Sequence, residues 1–239
     1  MAKMEGVFDN FKMEVGEVKE LGLARLSTFE FSSKKDPLFN LRAIRDGGLN
    51  YMMDGKYIRL SVDDELMMSD TRMEMVTNAD FCWNANGKVL IAGLGVGLIL
   101  HNIKDKVKNG VITEIVIIEK YQDVIDLVSP IYADMPITYI CADILEYKPS
   151  KEEIFDTIYF DIWAISDFEK NLPEINMLHN RWKNNKNKSN PNCWMNSWMK
   201  IHGCQKKNVH SSDESPTRMK LPKLKARPMD SSRKITMIA

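Results

Sequence analysis

A chain of 239 residues, 44% hydrophobic and 28% charged, is long enough for one well-cored domain with appendages and sits in the ordinary globular range of composition. No segment approaches the ~18 consecutive apolar residues of a membrane span, and Met1 to Asn10 lacks the apolar run of a secretory signal, so a transmembrane reading fails and a cytoplasmic location is expected. The net charge of zero conceals a sorting: residues 1–170 hold 19 Lys+Arg against 29 Asp+Glu, while residues 171–239 hold 14 against 4.

Taken in chain order, residues 15–31 alternate Leu21, Leu23, Leu26, Phe29 and Phe31 with polar positions, which predicts a half-buried strand. Next, Leu49–Met53 and Lys56–Leu60 flank Asp54-Gly55, a pair that supplies the positive φ angles of a tight turn, and a β-hairpin is predicted there. Residues 63–80 space Leu66, Met67, Met73, Met75 and Val76 close to helical periodicity and predict one short helix.

From Lys88 onward, short apolar runs alternate with helix-length amphipathic stretches, the pattern of a parallel sheet with crossover helices. The runs are Val89–Ala92, Ile115–Ile118, Ile137–Ile140 and Thr157–Phe160, and they end at Gly93, Glu119, Asp143 and Asp161. A helix is predicted around Glu174 to Trp182, with an apolar-aromatic stretch at Trp194 to Ile201 and no further strand. The division that follows is a β-rich region with a hairpin over 1–80, a Rossmann-like α/β nucleoside-binding domain over 81–204, and a basic, disordered tail over 205–239.

Ligands of open α/β sheets sit beyond the carboxyl ends of the strands, so the four strand ends are the candidate site. Gly93, Gly95 and Gly97 follow the first strand, where residues without Cβ allow a sharp turn and close approach of a ligand to a helix start. The spacing is G-x-G-x-G, and Leu98 stands where the dinucleotide fingerprint needs glycine or alanine, which favours a nucleoside without a pyrophosphate. Glu119, closing the second strand, can accept ribose hydroxyls or cap the next helix. Asp143 and Ile144 stand where an adenine amino group and ring would be received, or where an aspartate serves a turn. Asp161, beside Trp163, is placed to act as general base or to hold a cation.

These residues resemble the class I AdoMet-dependent methyltransferase fold and, within it, the spermidine synthase (polyamine aminopropyltransferase) branch, over roughly Leu49 to Trp163. Met52 to Ile58 followed by Asp63-Asp64-Glu65-Leu66 is similar to the hairpin and acidic segment that introduces the nucleoside domain of those synthases. The resemblance implies that Gly93 to Gly97 hold the methionine portion of the cofactor, that Glu119 binds ribose and Asp143 adenine, and that Asp161 is the first acid of a catalytic D-x-x-D motif. It implies S-adenosylmethionine or its decarboxylated form as cofactor, no metal, and a small-molecule acceptor with amines among the candidates. A homodimer and a sheet cut short by the early basic tail are part of the same expectation. Three positions depart from the pattern: Ala164 replaces the second acid, Ile58 a glutamine, and the segment Met67 to Ser69 a tyrosine.

Two other functions compete. A catalytically degenerate nucleoside-binding protein would use its basic C-terminal region on nucleic acid or protein, with Trp182, Trp194 and Trp198 either stacking on bases or covering the sheet. A zinc site from Cys193, His202, Cys204 and His210 has no usual ligand spacing, and with Cys82 and Cys141 the four cysteines read as reduced thiols.

Overall fold

The computed structural model of the protein describes residues 19–164 and 168–198. The first of its two sheets is antiparallel, with β1 (Lys19–Leu21), β2 (Ala24–Phe31), β3 (Gly55–Val62) and β4 (Glu65–Ser69) side by side in that order. The predicted strand over 15–31 is thus two, joined at Gly22, and its residues 15–18 lie outside the described part. The hairpin is displaced from its predicted place. Its turn is Asp63-Asp64, whose φ angles of 52° and 61° are the two left-handed residues a type I′ turn requires. Aspartate tolerates that conformation because its short carboxylate can bond locally. Asp54 instead accepts the Ser33 N–H (2.7 Å) just before β3 starts.

The predicted helix over 63–80 is corrected by the same register. Residues 65–69 are captured by β3, Leu60 lying opposite Met68, and only then do two short helices follow, α2 (Arg72–Thr77) and α3 (Ala79–Asn84). A helix that sequence periodicity missed, α1 (Phe39–Arg45), buries only Ala43 and turns Leu41 and Ile44 outward, so it carries no inward apolar stripe to be recognised.

The second sheet is wholly parallel: β5 (Gly87–Ala92), β6 (Ile112–Glu119), β7 (Ile137–Cys141), β8 (Thr157–Phe160) and β9 (Trp194–Ser197), in spatial order β7-β6-β5-β8-β9. The fold is α/β with a Rossmann-like sheet, as the four apolar runs predicted, preceded by a small antiparallel sheet. Strand order reverses at β5, the topological switch point at which such sheets open a crevice. The fifth strand was not predicted. Trp-Met-Asn-Ser is too short to show alternation, and only its pairing with β8 makes it a strand.

Two-residue periodicity sorts the buried side chains. Val89 and Ile91 of β5 face a core shared with Leu26 and Leu60 of the antiparallel sheet, α4 (Leu98–Lys108) and α5 (Gln122–Val128); Leu90 and Ala92 face Leu178 and Trp182 of α6 (Phe168–Trp182). Both faces being covered, the strands read as continuous apolar runs. α6 begins six residues before its predicted start, because Pro173 in its second turn conceals the periodicity. Trp182 and Trp198 are core residues, 0% and 3% exposed, so neither offers a face to a nucleic-acid base. His202, Cys204 and His210 lie outside the described residues, as does the basic tail. Among the described residues no helix is long and apolar enough to cross a membrane.

Candidate functional site

A cavity of about 230 Å3 opens at the switch point, beyond the carboxyl ends of β5 to β8 and under the antiparallel sheet. Gly93, Gly95, Glu119, Asp143, Ile144 and Asp161 all line it, although they come from four separate strand ends. Gly97 does not. It caps α4 with a φ of 76°, and its carbonyl accepts the hydroxyl of Tyr132 (2.8 Å), which does not line the cavity either.

The glycine loop takes a form that its neighbours leave open only to residues without Cβ. Gly93 has a φ of 94°, and a Cβ there would collide with the backbone carbonyl oxygen of Asp161, so β5 and β8 approach as closely as they do only with glycine at this position. Directly after it, the Leu94 N–H donates to Glu119 Oε2 (2.8 Å), while Glu119 Oε1 accepts the Tyr121 N–H (3.0 Å). The carboxylate therefore sits at the bend, 8% exposed, with two of its four lone-pair directions unspent by these bonds. Burial raises its pKa, and the backbone N–H groups of Tyr121, Leu94 and Lys120 oppose that rise.

Asp143 serves a turn and lines the cavity at once. Its Oδ1 accepts the Leu145 N–H (2.9 Å), and its Oδ2 pairs with Lys120 Nζ (3.1 Å), so the two readings of this residue are not exclusive. Ile144 beside it is 3% exposed and gives that end of the cavity an apolar wall.

The opposite end is acidic. Asp161 is half-buried and its pKa is pushed up to about 7 by desolvation, moderated by a hydrogen bond from the Asn78 side chain. Asn78, between α2 and α3 and 1% exposed, accepts the Tyr159 hydroxyl (2.8 Å) and donates to the Glu74 carbonyl (3.0 Å), so its orientation is set by the helix end and the sheet together. Glu74 of α2 and Glu174 of α6 also line the cavity, the latter accepting the Trp163 Nε1–H (2.7 Å). Sequence reasoning missed Glu74, Asn78 and Glu174. The one available signal was an acid, Glu74, on the apolar side of an otherwise Met-rich segment.

Met68 of β4 lies in the segment Met67 to Ser69, where the resemblance expects a tyrosine. Its thioether accepts the Val96 N–H (3.1 Å), and it covers Gly95 so closely that a Cβ there would collide with the sulfur. The side chain thus occupies a backbone donor of the loop and part of the space of a cavity that is small beside the ~300–1,000 Å3 usual for ligand sites. Met68→Ala is expected to raise nucleoside affinity about 2- to 10-fold, since the net loss of one such hydrogen bond no longer opposes entry. A calorimetric titration checks this, and weaker binding would show instead that the thioether packs on the ligand.

No protein-family model and no curated protein sequence matches the chain. Solved structures that resemble it include a SAM-dependent methyltransferase from Leishmania major (15% identity, TM-score 0.38, covering 51% of this chain and 47% of that one) and the N-methyltransferase NodS from Bradyrhizobium japonicum (15% identity, TM-score 0.35, 45% and 61%). A putative Zn-dependent alcohol dehydrogenase from Rhodobacter sphaeroides is also similar (19% identity, TM-score 0.28, 36% and 32%). In each case the match spans less than two thirds of the other chain.

Proposed function

We propose that the chain binds an AdoMet-type sulfonium nucleoside, full or decarboxylated, and transfers an alkyl group from its sulfur to an amine, in the manner of the spermidine synthase branch. The observation that supports this most is the Glu119 carboxylate locked against Leu94 at the glycine bend and facing the same cavity as Asp143, Ile144 and Asp161. The residues fit such a ligand: spare acceptor directions on Glu119 for sugar hydroxyls, the Ile144 wall for a base, and an excess of carboxylates for a cation. Leu98, 1% exposed behind the loop, takes the volume that a dinucleotide site would leave to a third small residue.

When bound, the nucleoside supplies a carbon already activated toward substitution. The protein's part is to align the acceptor and to take its proton. Asp161, with a pKa of about 7, accepts a proton from the acceptor ammonium and frees the nitrogen lone pair, then passes that proton to solvent. Trp163, oriented by Glu174, forms the wall beside it.

Calorimetric titration with AdoMet, decarboxylated AdoMet and methylthioadenosine tests the reading; saturable binding of at least one is expected, and binding of none overturns it. Glu119→Gln is expected to weaken that binding about 10- to 100-fold, because one charge-assisted hydrogen bond is worth ~1.5–3 kcal/mol and the amide places an NH2 group against a backbone N–H. The loss of the second D-x-x-D acid at Ala164 favours a second reading, a silent nucleoside-binding protein. Product formation with an amine separates the two.

A further inference from the structure

The cavity holds more acid than the proposed ribose and proton-transfer roles consume. Among the described residues its charged lining consists of Glu74, Glu119, Asp143, Asp161, Glu174 and one cation, Lys120, which is already paired with Asp143. Glu119 is engaged by backbone N–H groups and Glu174 by an indole N–H. Glu74 is different: it is 8% exposed, lines the cavity, and among the described residues its carboxyl group has neither a cation nor a hydrogen-bond donor. A buried carboxyl without a partner is costly, and a site that keeps one is suited to a ligand that supplies the missing charge.

We propose that Glu74 and Asp161, which line one cavity, together receive the ammonium group of the acceptor and give up a proton to solvent when it enters. Glu74 thereby takes, from the far side of the cavity, the place that Ala164 leaves vacant after Asp161. The inference rests on the amine-acceptor reading above and adds the residue that completes its cation site.

Geometry and electrostatics agree. Glu74 and Asp161 line one cavity, and Asn78, which donates to the main-chain carbonyl of Glu74 (3.0 Å), holds the Asp161 pKa down by a side-chain hydrogen bond. Glu74 is pushed up to about 8, by burial first and then by the charge of Asp161, as expected for like charges in one dry site. Tyr159 is influenced by both acids and by Cys82 and Asp80, and the cavity that Glu74 and Asp161 line also carries Glu119, Asp143, Glu174 and Lys120, the last already paired with Asp143. Lys106, which acts on Cys82, spends its ammonium on the carbonyls of Trp83 (2.6 Å) and Ala85 (2.9 Å). Among the described residues no ion pair neutralises the two acids, so at neutral pH protons do so in part.

The test uses the full chain saturated with methylthioadenosine and titrated calorimetrically with 1,4-diaminobutane at pH 7 in buffers of different ionisation enthalpy. Wild type is expected to bind the diamine with release of about one proton. Glu74→Gln is expected to lose about 10- to 100-fold in diamine affinity and most of the proton release, with nucleoside affinity within about twofold of wild type. Glu74→Asp, which keeps the charge on a shorter arm, is expected to retain the proton release. Unchanged diamine affinity and proton release in Glu74→Gln, or no diamine binding by nucleoside-loaded wild type, overturns the inference and leaves nucleoside binding standing. Wild type that binds no nucleoside overturns the underlying reading instead.

Discussion

Asp161→Asn is expected to reduce product formation about 10^2- to 10^4-fold, the usual contribution of a positioned general base, while leaving nucleoside affinity within about twofold. The asparagine fits the same space and can still accept from Asn78, so the variant separates proton transfer from folding. Wild-type activity is expected to rise with pH through about 7, where Asp161 loses its proton. Stability moves the other way. The folded-state pKa lies above the ordinary carboxyl value of 3.8, so this group favours the folded state while protonated; its contribution is complete below about pH 4 and is lost as pH climbs to about 7. Over that window the variant should flatten both the rate profile and the stability profile. A variant that forms product at the wild-type rate would remove Asp161 from the chemistry.

Gly93→Ala is expected to lower the unfolding free energy by about 2–6 kcal/mol, read from the urea midpoint. A side chain at a φ of 94° costs ~1–3 kcal/mol, and forcing a methyl group against the Asp161 carbonyl adds ~1–3 kcal/mol of overpacking. Gly47→Ala is the control. Its φ is 101°, yet none of the described residues lies within 4 Å of the added carbon, so it bears the backbone cost alone. Equal losses in the two variants would show that the close approach of β5 and β8 is not what demands glycine at position 93.

What could be read before the fold was known follows from how each feature is encoded. The apolar runs of β5, β6, β7 and β8 stand out because both faces of the sheet are covered, and a doubly buried strand needs no partner to look hydrophobic. The placement of β4 shows the limit. Met67 and Met68 suit a helix as well as a strand, and it is the Asp63-Asp64 turn returning the chain along β3 that decides for the strand. Likewise β9 and α1 carry too little local pattern, the one being four residues long and the other exposing Leu41 and Ile44.

The candidate site divides along the same line. Gly93, Gly95, Glu119, Asp143 and Asp161 each follow a recognisable strand, and a parallel sheet brings such ends together whatever its detailed packing, so local sequence alone determined that they would meet. Glu74, Met68 and Glu174 reach the same cavity from helices and from the other sheet, with Asn78 behind Asp161, and only the tertiary structure decided their place. The physical reason is that the charge state of Glu74 and the reach of the Met68 sulfur depend on burial and on neighbours supplied by distant segments. A residue's own sequence window contains neither.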